Sequence, residues 1–340
     1  MSEKNQLQDI IISSHGDGGL LTHRLLQEIF YPSFNNKWLQ QEGDAAVLNL
    51  NGLRLAMTTD SFVISPLFFK GGDIGKLAVC GTVNDLVVSG AKPLWLSAAF
   101  ILPTGMEQID LKKIVKSMEE TANGLKVPIV TGDTKVVDSG DRDNLFINTT
   151  GIGLVQPGIC FHPRNIEPND VVIVSGSVGD HGAAILAQRL QFDGNSSPAS
   201  DCAPLVELSE KMKPFYDDIK VMRDPTRGGL ATTLIELAVA GRIDLVLEEE
   251  AIPVKTEVSA VADILGVDPY YLASEGRAVL IARAAAGNRI LKTLRSVAGA
   301  ESSSIIGVVG EGEGAVYLRT RLGGTRRLKM LSGTPLPRIC

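Results

Sequence analysis

The chain has 340 residues and a formal charge of −6, so it lacks the basic footprint that nucleic-acid binding requires, and that role is excluded first. A hydrophobic fraction of 44% with 21% charged residues is that of an ordinary globular protein, long enough for two domains and a sizeable core. No apolar run is long enough to span a bilayer and MSEKNQLQDI carries no charged-then-apolar leader, so no membrane role and a cytoplasmic location are expected.

In chain order, HGDGG (15–19) precedes helical sequence over 20–30. A Gly-rich loop opening a helix presents backbone N–H groups to phosphate, which makes Gly18 and Gly19 nucleotide-binding candidates. Asp17 works against direct anion contact, and the stretch is not a G-x-x-x-x-G-K-[ST] loop. AAVLNL (45–50) and LRLAMTT (53–59) flank Asn51-Gly52, a strong hairpin signal. From Gly75 to Ser89 the spacing of Leu77, Cys80, Val83, Leu86 and Val87 predicts a helix capped by Gly90, with Pro93 ending any continuation. LWLSAAFIL (94–102) reads as a buried strand and 107–124 as an amphipathic helix; VPIVTGD and NLFINTTGIGLV read as strands.

Prolines cluster over 155–168, where the break between two units falls. VVIVSG (171–176) is then a strand feeding a Gly-rich turn and the helix AAILAQRL, and RDPTRGGLATTLIELAVAG (223–241) is a turn opening a helix. A helix at 257–265, a strand at 278–284 and a helix at 287–299 follow. Sheets with helices packed on them predict an α+β fold, divided as 1–41, 42–156, 157–330 and 331–340.

The end of the chain, LSGTPLPRIC, is kept extended by Pro335 and Pro337. Cys340 has no core to fill there; it is either an incidental terminus or a thiol at the tip of a stiff arm. From Arg319 onward there are five arginines, one lysine and no acidic residue, a solvated face or a means of drawing the arm toward an anion. The other cysteines show no zinc spacing; Cys80 reads as core, and Cys160 and Cys202 receive no role.

Four aspartates stand beside apolar sequence at strand or loop ends: Asp44 (EGDAAV), Asp60 (TTDSFV), Asp85 (VNDLVV) and Asp133 (VTGDTKVV). Each alone could cap a helix or turn. As a set, they are accounted for by convergence on a hard cation, Mg²⁺ with a nucleotide triphosphate, and Asn84 beside Asp85 joins the nucleotide-binding candidates. Lys135 shares a face with Asp133 if the segment is extended. Glu275 (ASEGRAV) sits where a loop enters a strand; each of the two is a surface charge by default, and together with a thiol they would supply an acid/base pair.

TTDSFVISPLFFKGGDIGKLAVCGTVNDLVVSGAKP, VTGDTKVV, SGSVGDHG, RDPTRGG, SEGR and the terminal PRIC, in this order and over essentially the whole chain, resemble the HypE family of hydrogenase maturation proteins. These are carbamoyl dehydratases of the aminoimidazole ribonucleotide synthetase-like superfamily, most of whose single motifs are shared with relatives. The terminal P-R-I-C is the specific one. The resemblance implies an N-terminal, sheet- or barrel-forming domain that binds ATP and Mg²⁺ near a homodimer interface, and a C-terminal α/β sandwich domain. It implies that Cys340 receives a carbamoyl group from the carbamoyltransferase HypF, that ATP drives its dehydration to a thiocyanate, and that the cyanide passes to iron on the HypC–HypD scaffold for a nickel–iron hydrogenase. Asp44, Asp60, Asp85 and Asp133 are then the metal candidates, Glu275 the first choice of base, and Lys135 a phosphoryl or proton partner. Gly43-Asp44 departs from the paired aspartates frequent in the superfamily. Rival readings are a selenophosphate synthetase, whose reactive Cys or selenocysteine HGDGG lacks, a thiamine-monophosphate kinase, which has no use for P-R-I-C, and a non-catalytic thiol carrier.

Overall fold

In the computed structural model the described residues are 10–41, 43–138, 145–192 and 197–331. Cys340 and the P-R-I-C motif lie outside them. The first α-helix, α1 (Leu20–Leu25), runs through a π turn at Leu26–Phe30 into α2 (Tyr31–Phe34), so the helical stretch is longer than its sequence predicts. β1 (Ala46–Leu50) and β2 (Leu53–Phe62) form the hairpin around Asn51-Gly52, pairing Leu50 with Leu53. After the short pair β3 (Phe68–Phe69) and β4 (Gly72–Asp73) comes α3 (Ile74–Val88), whose N-cap Asp73 accepts from the N–H groups of Gly75 and Lys76.

Helix α3 is buried on nearly every side because β2, the strand that follows the helix and a second helix enclose it, which is why its sequence is apolar all round. β5 (Ala91–Pro103), α4 (Gln108–Leu125), β6 (Ile129–Val137) and β7 (Phe146–Val155) complete a five-stranded sheet in the order β1-β2-β7-β5-β6. All neighbours are antiparallel except β5 and β6. β5 is not the buried strand its apolar sequence predicts: Leu96 and Ala98 face the helices while Trp95 and Ile101 are exposed on the other face. β6, at the sheet edge, is exposed along its whole length.

The second unit is a seven-stranded sheet in the order β14-β13-β10-β12-β8-β11-β9. Its elements are β8 (Val171–Val174), α5 (Asp180–Arg189), α6 (Val206–Met212), β9 (Ile219–Arg223), α7 (Gly229–Gly241) and β10 (Ile243–Glu248). Then come α8 (Thr256–Leu265), β11 (Val279–Ala282), α9 (Ala284–Leu294), β12 (Ser304–Glu311), β13 (Val316–Arg319) and β14 (Thr325–Leu328). β8 and β11 are buried on both faces, and helices on both sides of this sheet supply two cores. α9 ends five residues before its predicted limit, where the chain turns through Arg295–Ala300.

The basic run beginning at Arg319 forms, for its first part, the β13–β14 hairpin; its arginines pair with carboxylates, Arg319 with Glu248 and Arg326 with Asp268. One hydrophobic core spans both units, joining Phe62, Leu77 and Cys80 to Ile173, Cys202 and Leu280. Among the described residues no helix is long and apolar enough to cross a membrane.

Candidate active site

The sheet edges and loops of the two units meet around a cavity of about 270 Å³. The end of β2 runs along it, with Thr58, Thr59, Asp60, Ser61 and Phe62 all in its wall. From α3, Gly81 and Asp85 line it four residues apart, on one helical face. Asp44 enters just before β1, Gly18 from the N-terminal loop, Glu275 from the loop before β11, and Asp224 and Arg227 from the turn after β9.

That turn depends on glycine. Gly228 and Gly229 both have positive φ, and a Cβ on Gly229 would lie 2.5 Å from the carbonyl oxygen of Leu272. The close approach brings RDPTRGG against the loop that carries Glu275.

Asp44, Asp85 and Asp224 each offer a carboxylate oxygen within 4.8 Å of the others. Burial raises all three above the ordinary carboxylate range, Asp85 and Asp224 well above it and Asp44 to about 6; mutual repulsion adds to this, and Arg223 partly relieves Asp44. Thr58 donates to Asp85 Oδ2 at 2.7 Å, and Arg223 Nε lies 2.6 Å from Asp44 Oδ1. Asp44 Oδ2 is buried without a hydrogen-bond partner. Crowded, desolvated carboxylates with an open oxygen suit a small hard cation, which would both neutralise them and fill that valence. Asp60 joins the same electrostatic group, raised by burial and opposed by Arg227.

Glu275 is 2% exposed, its Oε1 has no hydrogen-bond partner, and burial followed by repulsion from Asp224 and Asp201 pushes it well above its usual range. Its backbone is fixed: its N–H donates to Asp201 Oδ1 and its carbonyl accepts from Asn84.

The cavity thus collects Asp44, Asp60, Asp85, Glu275 and Gly18 of the sequence candidates. Asn84 stands outside it, with both ends of its amide bonded to backbone across the two units at Ala203, Leu205 and Glu275. Gly19 is buried against Leu331. Asp133 and Lys135 are not brought in either; they sit on exposed β6 and pair with each other at 2.9 Å. That pairing holds Asp133 below its usual range. Sequence reasoning missed Asp224 and Arg223. Asp224 directly follows β9, near apolar Val221 and Met222, and the rule of a carboxylate beside apolar sequence, applied to the second half, finds it.

A two-unit α+β protein with an acidic cavity between its units is the class defined here, and residues 42–155 match "AIR synthase related protein, N-terminal domain" while residues 167–319 match its C-terminal domain. The carbamoyl dehydratase HypE of Cupriavidus necator is 46% identical over 96% of this chain and 93% of its own. A crystal structure of hydrogenase maturation protein HypE in complex with ATP superposes with a TM-score of 0.82 at 43% identity, covering 97% of this chain and 100% of that one. One of a HypE–HypF complex gives 0.85 at 43%, covering 90% and 99%. The chain belongs to the carbamoyl dehydratase HypE family of AIR synthase-related proteins.

Proposed function

We propose that this enzyme dehydrates an S-carbamoyl group on Cys340 to a thiocyanate at the expense of ATP, providing the cyanide ligand for the iron of a nickel–iron hydrogenase. The observation that carries the reading is the unpartnered, buried Glu275 carboxyl in one cavity with three clustered aspartates, in a chain whose relatives are carbamoyl dehydratases. The carbamoyl oxygen attacks the γ-phosphorus of ATP and the bond to ADP breaks; the oxygen then leaves with the phosphate as the C≡N bond forms. Two N–H protons must depart: Glu275, whose environment raises its proton affinity, takes one as the O–P bond forms, and the departing phosphate carries the other. Asp44, Asp85 and Asp224 would hold Mg²⁺, which screens phosphate charge when bound. Asp60 belongs to the same set, and Arg227 faces it from the opposite unit.

The cavity of one chain is smaller than the roughly 300–1,000 Å³ usual for small-molecule sites, and Asp133 and Lys135 stand away from it. A homodimer through the N-terminal sheet supports their use: exposed β6 and the uncovered face of β5 present Trp95, Ile101, Val130 and Val136. In this reading the Asp133–Lys135 pair of one copy completes the cavity of the other, with Asp133 toward the metal and Lys135 toward the phosphoryl oxygens. HypF is the carbamoyl donor, a reading supported by the HypE–HypF complex of a relative, the HypC–HypD scaffold the acceptor, and the cytoplasm the place of work.

Mass spectrometry of the C-terminal peptide tests the reading directly. After incubation with the carbamoyltransferase, carbamoyl phosphate and ATP, the Cys340 peptide should gain about 43 Da and then settle at about 25 Da above the free thiol. A peptide that stays at the first mass in the presence of Mg-ATP rejects the dehydratase assignment.

A further inference from the structure

The strand β14 is followed by a short segment, Lys329 to Leu331, which is the root of the C-terminal arm, and two separate loops hold it. Tyr271 Oη donates to the carbonyl of Lys329 at 2.7 Å and accepts from the N–H of the same residue at 3.2 Å. One phenol thereby satisfies both backbone groups of a residue beyond the strand. From the other side, the N–H of Leu20 donates to the carbonyl of Leu331 at 2.9 Å. Gly19 makes room for that bond, since a Cβ there would lie 2.6 Å from the same carbonyl oxygen. Met330, between the two grips, packs against the core of the second sheet.

Both gripping loops also build the cavity. Gly18, adjacent to Gly19, lines it, and Tyr271 stands four residues before Glu275 in a loop pressed against Gly229. The root is therefore fixed one residue from the cavity wall. Residues 332–340 span at most about 30 Å fully extended, so the position and direction of the root decide which points the terminal thiol can reach. They also set its effective concentration at each of them.

We propose that Tyr271 Oη and the Gly19–Leu20 backbone are positioning groups that clamp the arm root and so fix the point from which Cys340 must reach the cavity. Neither touches the reacting atoms. The proposal rests on the reading of Cys340 as the carrier, and it adds a determinant of how often the loaded thiol presents itself.

Two measurements on the full-length protein test it. The Tyr271→Phe variant deletes one oxygen and keeps the ring; Gly19→Ala crowds Leu331 without a change in backbone conformation class. Spin labels on exposed Cys160 and on Cys340 report the spread of arm positions by a distance distribution, Cys80 and Cys202 being buried. In Tyr271→Phe the distribution should broaden, and carbamoyl-to-cyano conversion should slow about tenfold at saturating ATP, as displaced reactants do, with ATP affinity unchanged. Gly19→Ala should move both readouts in the same direction; if it does not fold, Tyr271→Phe alone carries the test. An unchanged distribution or an unchanged conversion rate in Tyr271→Phe overturns the clamp, provided that the natural chain converts. Failure of the natural chain to acquire a cyano group is a separate result, and sinks the dehydratase reading instead.

Discussion

The cavity and the β6 edge carry the same residue types, aspartates beside apolar sequence with a cation nearby, yet their environments are opposite. Asp85 and Asp224 are desolvated among other carboxylates and bind protons more tightly than usual. Asp133 is solvated, paired with Lys135, and binds them more weakly. The lesson is that a carboxylate's chemistry is set by what the fold places around it, and one chain surrounds only part of the proposed set. The following experiments press on that contrast.

The largest effect is expected from the aspartates. Asp85→Ala and Asp224→Ala should each lower ATP-dependent dehydration by about 10²–10³-fold or more with the fold retained, measured as phosphate release. Asp133→Ala should do the same only if β6 completes a neighbour's cavity. Mixing Asp85→Ala with Asp133→Ala chains should then restore about a quarter of natural activity, because half of the dimers would contain one intact site of two. No recovery on mixing, with near-natural activity of Asp133→Ala alone, would detach β6 from the chemistry.

Next in size is the oligomer. Val130→Lys with Val136→Lys places charge on the exposed edge and should give a single-chain mass in sedimentation at micromolar concentration, with activity lost alongside. A dimer that survives both substitutions would move the interface elsewhere.

A smaller effect is the pH dependence of stability. Asp44, raised from 3.8 to about 6, keeps a proton in the folded chain that the unfolded chain has lost, and Asp85 and Asp224 act in the same direction. The contribution of Asp44 is complete below the unfolded value and disappears as pH rises through about 6. Without divalent cations, Tm should therefore fall as pH rises from about 4 to about 6, and millimolar Mg²⁺ should flatten the slope. A slope of the opposite sign would mean that the cluster is already neutralised by other groups.

The smallest belongs to the basic hairpin. Arg319→Ala removes an exposed pair with Glu248 and should change stability by less than about 1 kcal/mol by denaturant titration, leaving cyano-group formation intact.

Much of this was legible in the sequence because it is local. Asn51-Gly52 specified its hairpin, and the spacing of Leu77, Cys80, Val83 and Leu86 specified a helix. What escaped was decided at a distance. The apolar run of β5 does not reveal that one face lacks a helix, and Arg319 and Arg326 do not reveal that Glu248 and Asp268 await them. In the site, Asp44, Asp60 and Asp85 were found as carboxylates beside apolar sequence, and Glu275 as a carboxylate where a loop enters a strand. Asn84 was grouped with them by adjacency to Asp85, and only the packed chain shows that its amide faces the other unit.

That amide has a consequence for how the chain tolerates cutting. Asn84 bonds to Ala203, Leu205 and Glu275, and the hydrophobic core runs through Cys80 and Cys202 without a break at the boundary between the two matched families. A protease nick in the exposed connector near Gly158 would leave both fragments in one particle, whereas either fragment expressed alone would uncover a greasy wall and precipitate. The two halves carry separate family signatures, but they are a single object to a chaperone, to a denaturant and to any attempt at swapping one of them for a relative's.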